Sequence, residues 1–168
     1  PIRADARKGD RGRLLIVGGG PYHGAPILAG LAAERSGCDL IHVAMPSDAV
    51  ERAEWPLSLI PEPIGDTSHL TTLSVRAILD RVLNGRGCQA VLIGPGLGRE
   101  DASIDAVCEI IEKLVEANIP LIIDADAIRA LPSHAWPNGM VGVVTPHATE
   151  MAHWLGASDP AEILQIRA

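Results

Sequence analysis

The sequence predicts an α/β fold in which a mostly parallel sheet carries helices on both faces. Three observations point to it. Short apolar runs alternate with longer segments of helical period along the chain. The short runs are apolar at successive positions, the pattern of strands buried on both sides. Finally, the Gly, Pro, His and Asp residues that suit a core least gather just after these runs, in "GGGPYHGAP", "MPSD", "PEPIGD", "GPGLGRED", "DADA" and "TPHATE". In an open parallel sheet, ligands bind at the carboxyl ends of the strands.

The elements follow in order. Residues 1–12 are polar and basic and read as a lead-in or linker; residues 13–168 read as domain. "RLLIVGGG" is a buried strand stopped by glycines, and "APILAGLAAERSG" is an Ala- and Leu-rich helix closed by Gly37. "DLIHVAMP" is a second strand, and "LSLIPEPI" a weaker third, broken by prolines. Ser68 is placed to cap a helix in which Val75, Ile78, Leu79 and Val82 recur at helical spacing. After the strand "AVLIGPG", a stripe of Ile104, Val107, Cys108, Ile111, Leu114 and Val115 marks another helix. "IPLIIDADA" is a strand with a short helical turn after it, and "MVGVVTP" is the last strand. Met151, Trp154 and Leu155 are expected on one side of the next helix, and Asp159-Pro160 opens one more.

Composition narrows the function. The chain has 168 residues, 47% of them hydrophobic, enough for one domain with a core of Val, Ile, Leu and Ala. Aromatic residues make up 2% and the net charge is −7, which argues against a nucleic-acid surface. Cys38, Cys88 and Cys108 lack the spacing of a zinc site or a disulfide framework and read as reduced thiols of a cytoplasmic protein. No apolar run approaches the length of a membrane span, and no secretory signal opens the chain.

Each strand-end segment suits a small anionic ligand. In "GGGPYHGAP", Gly18 to Gly20 and Gly24 allow close approach of backbone to a phosphate or ring. The segment lacks both the G-x-G-x-x-G fingerprint and the G-K-[ST] of a P-loop. Gly96 and Gly98 leave space for a flat ligand or expose amides to a pyrophosphate. Asp124, at a strand tip, suits water or a magnesium–phosphate group, whereas Asp126 reads as a cap of the helical turn. In "TPHATE", Pro146 suits a first helical turn with Thr145 as its cap, and His147 and Glu150 share a helix face. A cationic histidine is disfavoured at a helix start, so a neutral imidazole that hydrogen-bonds a ligand fits the place. His42, inside an apolar strand, reads as a satisfied core residue; His69 and His134 read as loop or cap residues. No set of residues has the spacing of a metal site, and no G-x-S-x-G elbow is present.

Four segments in order, "KGDRGRLLIVGGGPYHGAPILAGLAAERSGCDLIHVAMP", "VLIGPGLGR", "PLIIDADAIRAL" and "VVTPHATEMAHWLG", strongly resemble the ADP/ATP-dependent NAD(P)H-hydrate dehydratase family. The resemblance runs from about Lys8 to about Gly156. It implies a three-layer ribokinase-like fold, of which this chain holds the N-terminal portion. It also implies an enzyme, a hydro-lyase, that uses ADP or ATP with Mg2+ to phosphorylate the ring hydroxyl of hydrated NADH or NADPH and eliminates phosphate to restore the cofactor. By position, Ala25, Gly96 and His147 would contact the hydrated cofactor, with Gly98 and Glu150 beside them. Gly19, Gly20 and Asp124 would position phosphate or water. The family's "GGS" is here "GGG", so Gly20 lacks a hydroxyl, and its "TPHPGE" is here "TPHATE". The family's lysine-bearing strand and Gly-Asp loop, which supplies the catalytic base, would lie beyond Ala168, so these 168 residues alone are expected to be inactive. An NAD(P)H-hydrate epimerase, fused or separate, is the implied partner, and a homo-oligomer is expected, with Trp55 or Trp136 as exposed interface residues. The rival readings are a ribokinase-like small-molecule hydroxyl kinase and a non-catalytic nucleotide-binding module.

Overall fold

Six strands form one parallel sheet in the computed structural model, which describes residues 9–65, 68–85, 87–157 and 159–165. In chain order they are β1 (Arg13–Val17), β2 (Leu40–Met45), β3 (Leu59–Pro63), β4 (Ala90–Ile93), β5 (Leu121–Ile123) and β6 (Gly142–Val144). Their order across the sheet is β3-β2-β1-β4-β5-β6. The chain therefore reverses its direction of growth between β1 and β4, the kind of switch point beside which parallel sheets hold ligands. Most of the lead-in, residues 1–8, lies outside the described residues, as do Asp66 of the "PEPIGD" segment and the chain end at Ala168.

Alternation along the central strands divides the core in two. Leu15 and Val17 of β1, Val91 and Ile93 of β4, and Leu121 and Ile123 of β5 pack against α3 (Thr72–Leu83) and α4 (Asp101–Glu116). Ile16, Ile41, Val43 and Met45 face the other way, toward α1 (Gly24–Arg35) and α2 (Ser47–Arg52). Nothing in the sequence pattern announces α2, which begins within "MPSD". It is one and a half turns long, too short to show periodicity. α5 (Ala148–Trp154) and α6 (Pro160–Gln165) follow β6.

The edge strand β3 explains its prolines. Ile64 donates its amide to Met45 of β2, and the strand period then turns the positions of Pro61 and Pro63 outward, where no ladder donor is needed. At the opposite edge, no further strand pairs with β6 among the described residues. Leu92, Ile122 and Val143 are in register across β4, β5 and β6 on the α1 side of the sheet. Leu92 and Ile122 are half-buried, and Val143 is 55% exposed. The apolar pattern of β6 thus predicted burial on both faces, whereas the helices over this side of the sheet sit above β1 to β3.

Several local expectations shift. Ser68 does not cap α3; Thr71 occupies that position in an extended conformation, without a side-chain cap. The intervening Leu70 is fully buried, and Ser103 donates to its carbonyl, so the segment is drawn into the core before the helix starts. In α4 the buried face centres on Ser103, Ala106, Val107, Ile110, Ile111 and Leu114, with Ile104, Cys108 and Val115 on its flanks. In α5 the buried residue is Ala152; Leu155 lies past the helix end and is 38% exposed. Trp55 is half-buried and donates its indole N–H to the carbonyl of Val50, which leaves only Trp136 of the two tryptophans exposed. Among the described residues no helix is long and apolar enough to cross a membrane.

Candidate functional site

The loops after β1 and β4 lock together backbone to backbone. The amide of Gly19 donates to the carbonyl of Pro95 at 2.9 Å. A Cβ at Gly96 would sit 2.0 Å from the carbonyl oxygen of Tyr22, and one at Gly18 would sit 2.3 Å from that of Pro95. Gly96 also has φ +73°, a region that residues with a Cβ rarely enter. Any side chain at these positions would force the loops apart. Ala25 is exposed in the first turn of α1, just after this junction. Its helix has no side-chain cap at His23, which leaves first-turn amides without that partner.

Gly20 and Gly98 border a cleft of about 750 Å³, together with Arg52, His69 and Arg99. These are two of the eight residues singled out from the sequence; Ala25, Gly96 and His147 lie outside the lining. Arg52 donates to the carbonyl of Gly20 at 2.6 Å and so holds the first loop from α2. Nothing in the sequence marks that role, because α2 is too short to show a helical period.

The segment after β5 departs from its expected role. Its 3-10 turn (Ala125–Ala130) starts at Asp124, which makes no side-chain cap. Asp126 does not cap the turn; its Oδ2 accepts the amide of Gly98 at 3.0 Å. Ala125 has φ +51°, and this left-handed residue breaks the strand alternation and swings Asp126 toward the β4–α4 loop. Asp124 instead accepts the hydroxyl of Thr145 at 2.7 Å. The amides of Gly19 and Gly98 are therefore already engaged within the protein. Among the described residues no three His, Cys, Asp or Glu side chains converge as a metal site, so these residues do not by themselves form a cage for Mg2+.

His147 is the N-cap of α5, which places Pro146 before the helix rather than in its first turn and removes Thr145 from the cap. Its Nδ1 accepts the amides of Thr149 and Glu150 at 3.1 and 3.3 Å, while Glu150 Oε2 accepts the amide of His147 at 2.9 Å. This is a capping box with an imidazole in the usual place of a serine hydroxyl. Because Nδ1 accepts, the ring proton lies on Nε2, 3.2 Å from Glu150 Oε1. The ring is well exposed, with 66% of its side-chain surface accessible.

Ala25, Gly96 and His147 follow β1, β4 and β6, and so stand on one edge of the sheet. Two strand spacings, about 10 Å, separate the tips of β4 and β6. The family model for NAD(P)H-hydrate dehydratase (Carb_kinase) matches residues 14–165. The chain belongs to this family.

The dehydratase relatives are consistent with one another. A bifunctional NAD(P)H-hydrate repair enzyme Nnr from Hyperthermus butylicus is 41% identical over 150 residues, covering 86% of this chain and 27% of that protein. An ADP-dependent (S)-NAD(P)H-hydrate dehydratase from Cenarchaeum symbiosum is 37% identical over 165 residues, covering 96% of this chain and 55% of its own length. The crystal structure of the ADP/ATP-dependent NAD(P)H-hydrate dehydratase from Bacillus subtilis, co-crystallized with ATP/Mg2+, superposes with a TM-score of 0.72 at 26% identity. It is matched by 100% of this chain, which covers 55% of it. The chain thus spans only part of the length of the dehydratases it matches. A ribokinase-like superfamily protein from Enterococcus faecalis shares the fold, with a TM-score of 0.66.

Proposed function

We propose that the protein carrying this chain restores hydrated NADH or NADPH by nucleotide-dependent dehydration. The observation that carries the reading is the seating of Gly96 on the Tyr22 carbonyl, beside Ala25, on the sheet edge that also bears His147. Family membership supplies the chemistry. The ring hydroxyl attacks the terminal phosphoryl group of ADP or ATP; an O–P bond forms, the hydroxyl proton is released, and the shortened nucleotide departs. The C–O bond then breaks with loss of phosphate, and loss of a proton from the neighbouring carbon leaves the ring double bond of NAD(P)H.

In this reading Ala25, Gly96 and His147 contact the hydrated dinucleotide, with Gly98 and Glu150 supporting them. His147 presents its exposed Nε2–H, 3.2 Å from Glu150 Oε1, as a donor. Gly20 and Asp124 are the positions for holding phosphate or water, and Gly19 shapes the turn through its bond to Pro95. Mg2+ would enter with the nucleotide and neutralise phosphate charge. The catalytic base is assigned to no residue of this chain. Residues 13–168 form the N-terminal portion of the catalytic domain, an epimerase is the companion activity, and the setting is the cytoplasm.

The test is to incubate the full natural protein with hydrated NADH and ATP or ADP. Recovery of reduced-nicotinamide absorbance with release of free phosphate supports the reading. Accumulation of a stable phosphate ester would make the protein a hydroxyl kinase instead, and binding without nucleotide consumption would make it a binding module.

A further inference from the structure

The turn after β5 reaches in two directions. Toward β4, Asp126 accepts the amide of Gly98 at 3.0 Å, and Arg129 donates to the carbonyl of the next residue, Arg99, at 3.2 Å. Toward β6, Asp124 accepts the hydroxyl of Thr145 at 2.7 Å, two residues before His147. Both carboxylates bond across more than twenty positions of sequence, 28 for Gly98 and 21 for Thr145, rather than to amides of their own turn. In a regular strand, residues 124 and 126 would face the same side. The left-handed Ala125 between them, with φ +51°, sends them to opposite neighbours.

We propose that the 124–129 turn is a two-sided latch, with Asp126 and Asp124 as positioning residues that fix the gap between the Gly96–Gly98 loop and His147. The proposal rests on the dinucleotide reading of that edge. Asp126 holds one wall through the Gly98 amide, and Asp124 holds the other through Thr145. A gap fixed before the ligand arrives lowers the ordering cost of binding, and small errors in such a gap weaken binding sharply. Asp126 acts on ligand affinity through its tie to Gly98, while Asp124 ties Thr145 through Oδ1 in addition to the phosphate or water role proposed above.

The test uses Asp126→Ala, Asp126→Asn and Thr145→Val in the full natural protein, with steady-state kinetics on hydrated NADH, and amide NMR spectra of the labelled protein without ligand. Asp126→Ala is expected to raise KM for the hydrated cofactor about tenfold, the equivalent of one lost charge-assisted hydrogen bond, with KM for the nucleotide unchanged. Asp126→Asn keeps an acceptor oxygen and is expected to recover most of that loss. In the spectra, Asp126→Ala is expected to move the amide of His147 as well as that of Gly98. Thr145→Val, the milder change, is expected to move the Gly98 amide from the opposite side. A variant that only lowers stability, with KM intact, or that leaves the far loop's amide unmoved, would overturn the latch. If the wild-type protein fails to turn over the hydrate, the dehydratase reading falls while the spectra still decide the latch.

Discussion

The imidazole of His147 and the carboxylate of Glu150 hold one another's backbone: His147 Nδ1 accepts the Glu150 amide, and Glu150 Oε2 accepts the His147 amide. The same histidine is thus both the start of α5 and a candidate ligand donor. The two roles separate by substitution. His147→Asn retains a good N-cap and is expected to keep stability within about 0.5 kcal/mol, whereas His147→Ala loses the cap and costs about 1 kcal/mol. Both remove the Nε2–H donor, so both are expected to weaken binding of hydrated cofactor. Urea denaturation beside a binding titration checks this. Full binding by His147→Asn would confine the histidine to capping.

The glycines of the strand-end loops are expected to differ sharply in tolerance. A Cβ at Gly94 would lie 1.6 Å from the carbonyl oxygen of Asp124, and its φ is +132°. Gly94→Ala is therefore expected to cost about 3 kcal/mol or more, from overpacking against backbone and from a forced left-handed residue. Gly24 has no atom within 4 Å of such a Cβ. Gly24→Ala is expected to change stability by no more than about 0.5 kcal/mol. Thermal melts of the two variants provide the comparison; equal tolerance would contradict the loop packing described here.

The sequence made the parallel sheet legible because its strands are continuous apolar runs and its longer helices are periodic. It also located the sheet edge that bears Gly96 and His147, since strand-end glycines and histidines stand out. What it could not show was the partner of each side chain. Asp126 read as a local cap because caps are the commonest use of an aspartate at that position; its bond to Gly98 depends on the left-handed turn at Ala125, which nothing about an alanine announces. α2 was too short to be periodic, and with it the tie from Arg52 to Gly20 was lost. Val143 is exposed in a strand of apolar residues because an apolar residue says nothing about whether a helix covers it.

Acid is expected to weaken the fold at His42. The residue is buried, with Nδ1 2.7 Å from Glu62 Oε1, and Arg81 bonds its ring from α3. Nδ1–H donating to Glu62 leaves Nε2 as the acceptor facing the guanidinium, a pairing only the neutral ring allows. Burial lowers its pKa, the Glu62 hydrogen bond and charge oppose the shift, and the Arg81 charge adds to it. With the folded pKa below the unfolded value of about 6.5, the unfolded chain takes up the proton first as pH falls. Stability is therefore full above that pH and declines as pH falls through it toward the folded pKa. Denaturation as a function of pH is expected to show this decline in the wild type and a shallower one in His42→Gln. Identical slopes would contradict the assignment.

Among the described residues nothing pairs with β6 beyond the row of Leu92, Ile122 and Val143, and the 168-residue chain on its own is expected to self-associate along β6 with concentration, since unpaired strand edges with apolar flanks recruit other strands. Val143→Lys is expected to reduce that association and to change stability by less than about 0.5 kcal/mol. Sedimentation velocity across a concentration series checks it; association that is unaltered by the lysine would place the contact elsewhere.

In the proposed function, the turns after β1, β4 and β6 bind one hydrated dinucleotide together. Amide NMR of the labelled protein, titrated with hydrated NADH, tests it most directly. Ala25, Gly96 and His147 are expected to shift along a single binding curve with one Kd. Shifts confined to one of these loops, or found only in the groove between α4 and Asn138, would contradict it.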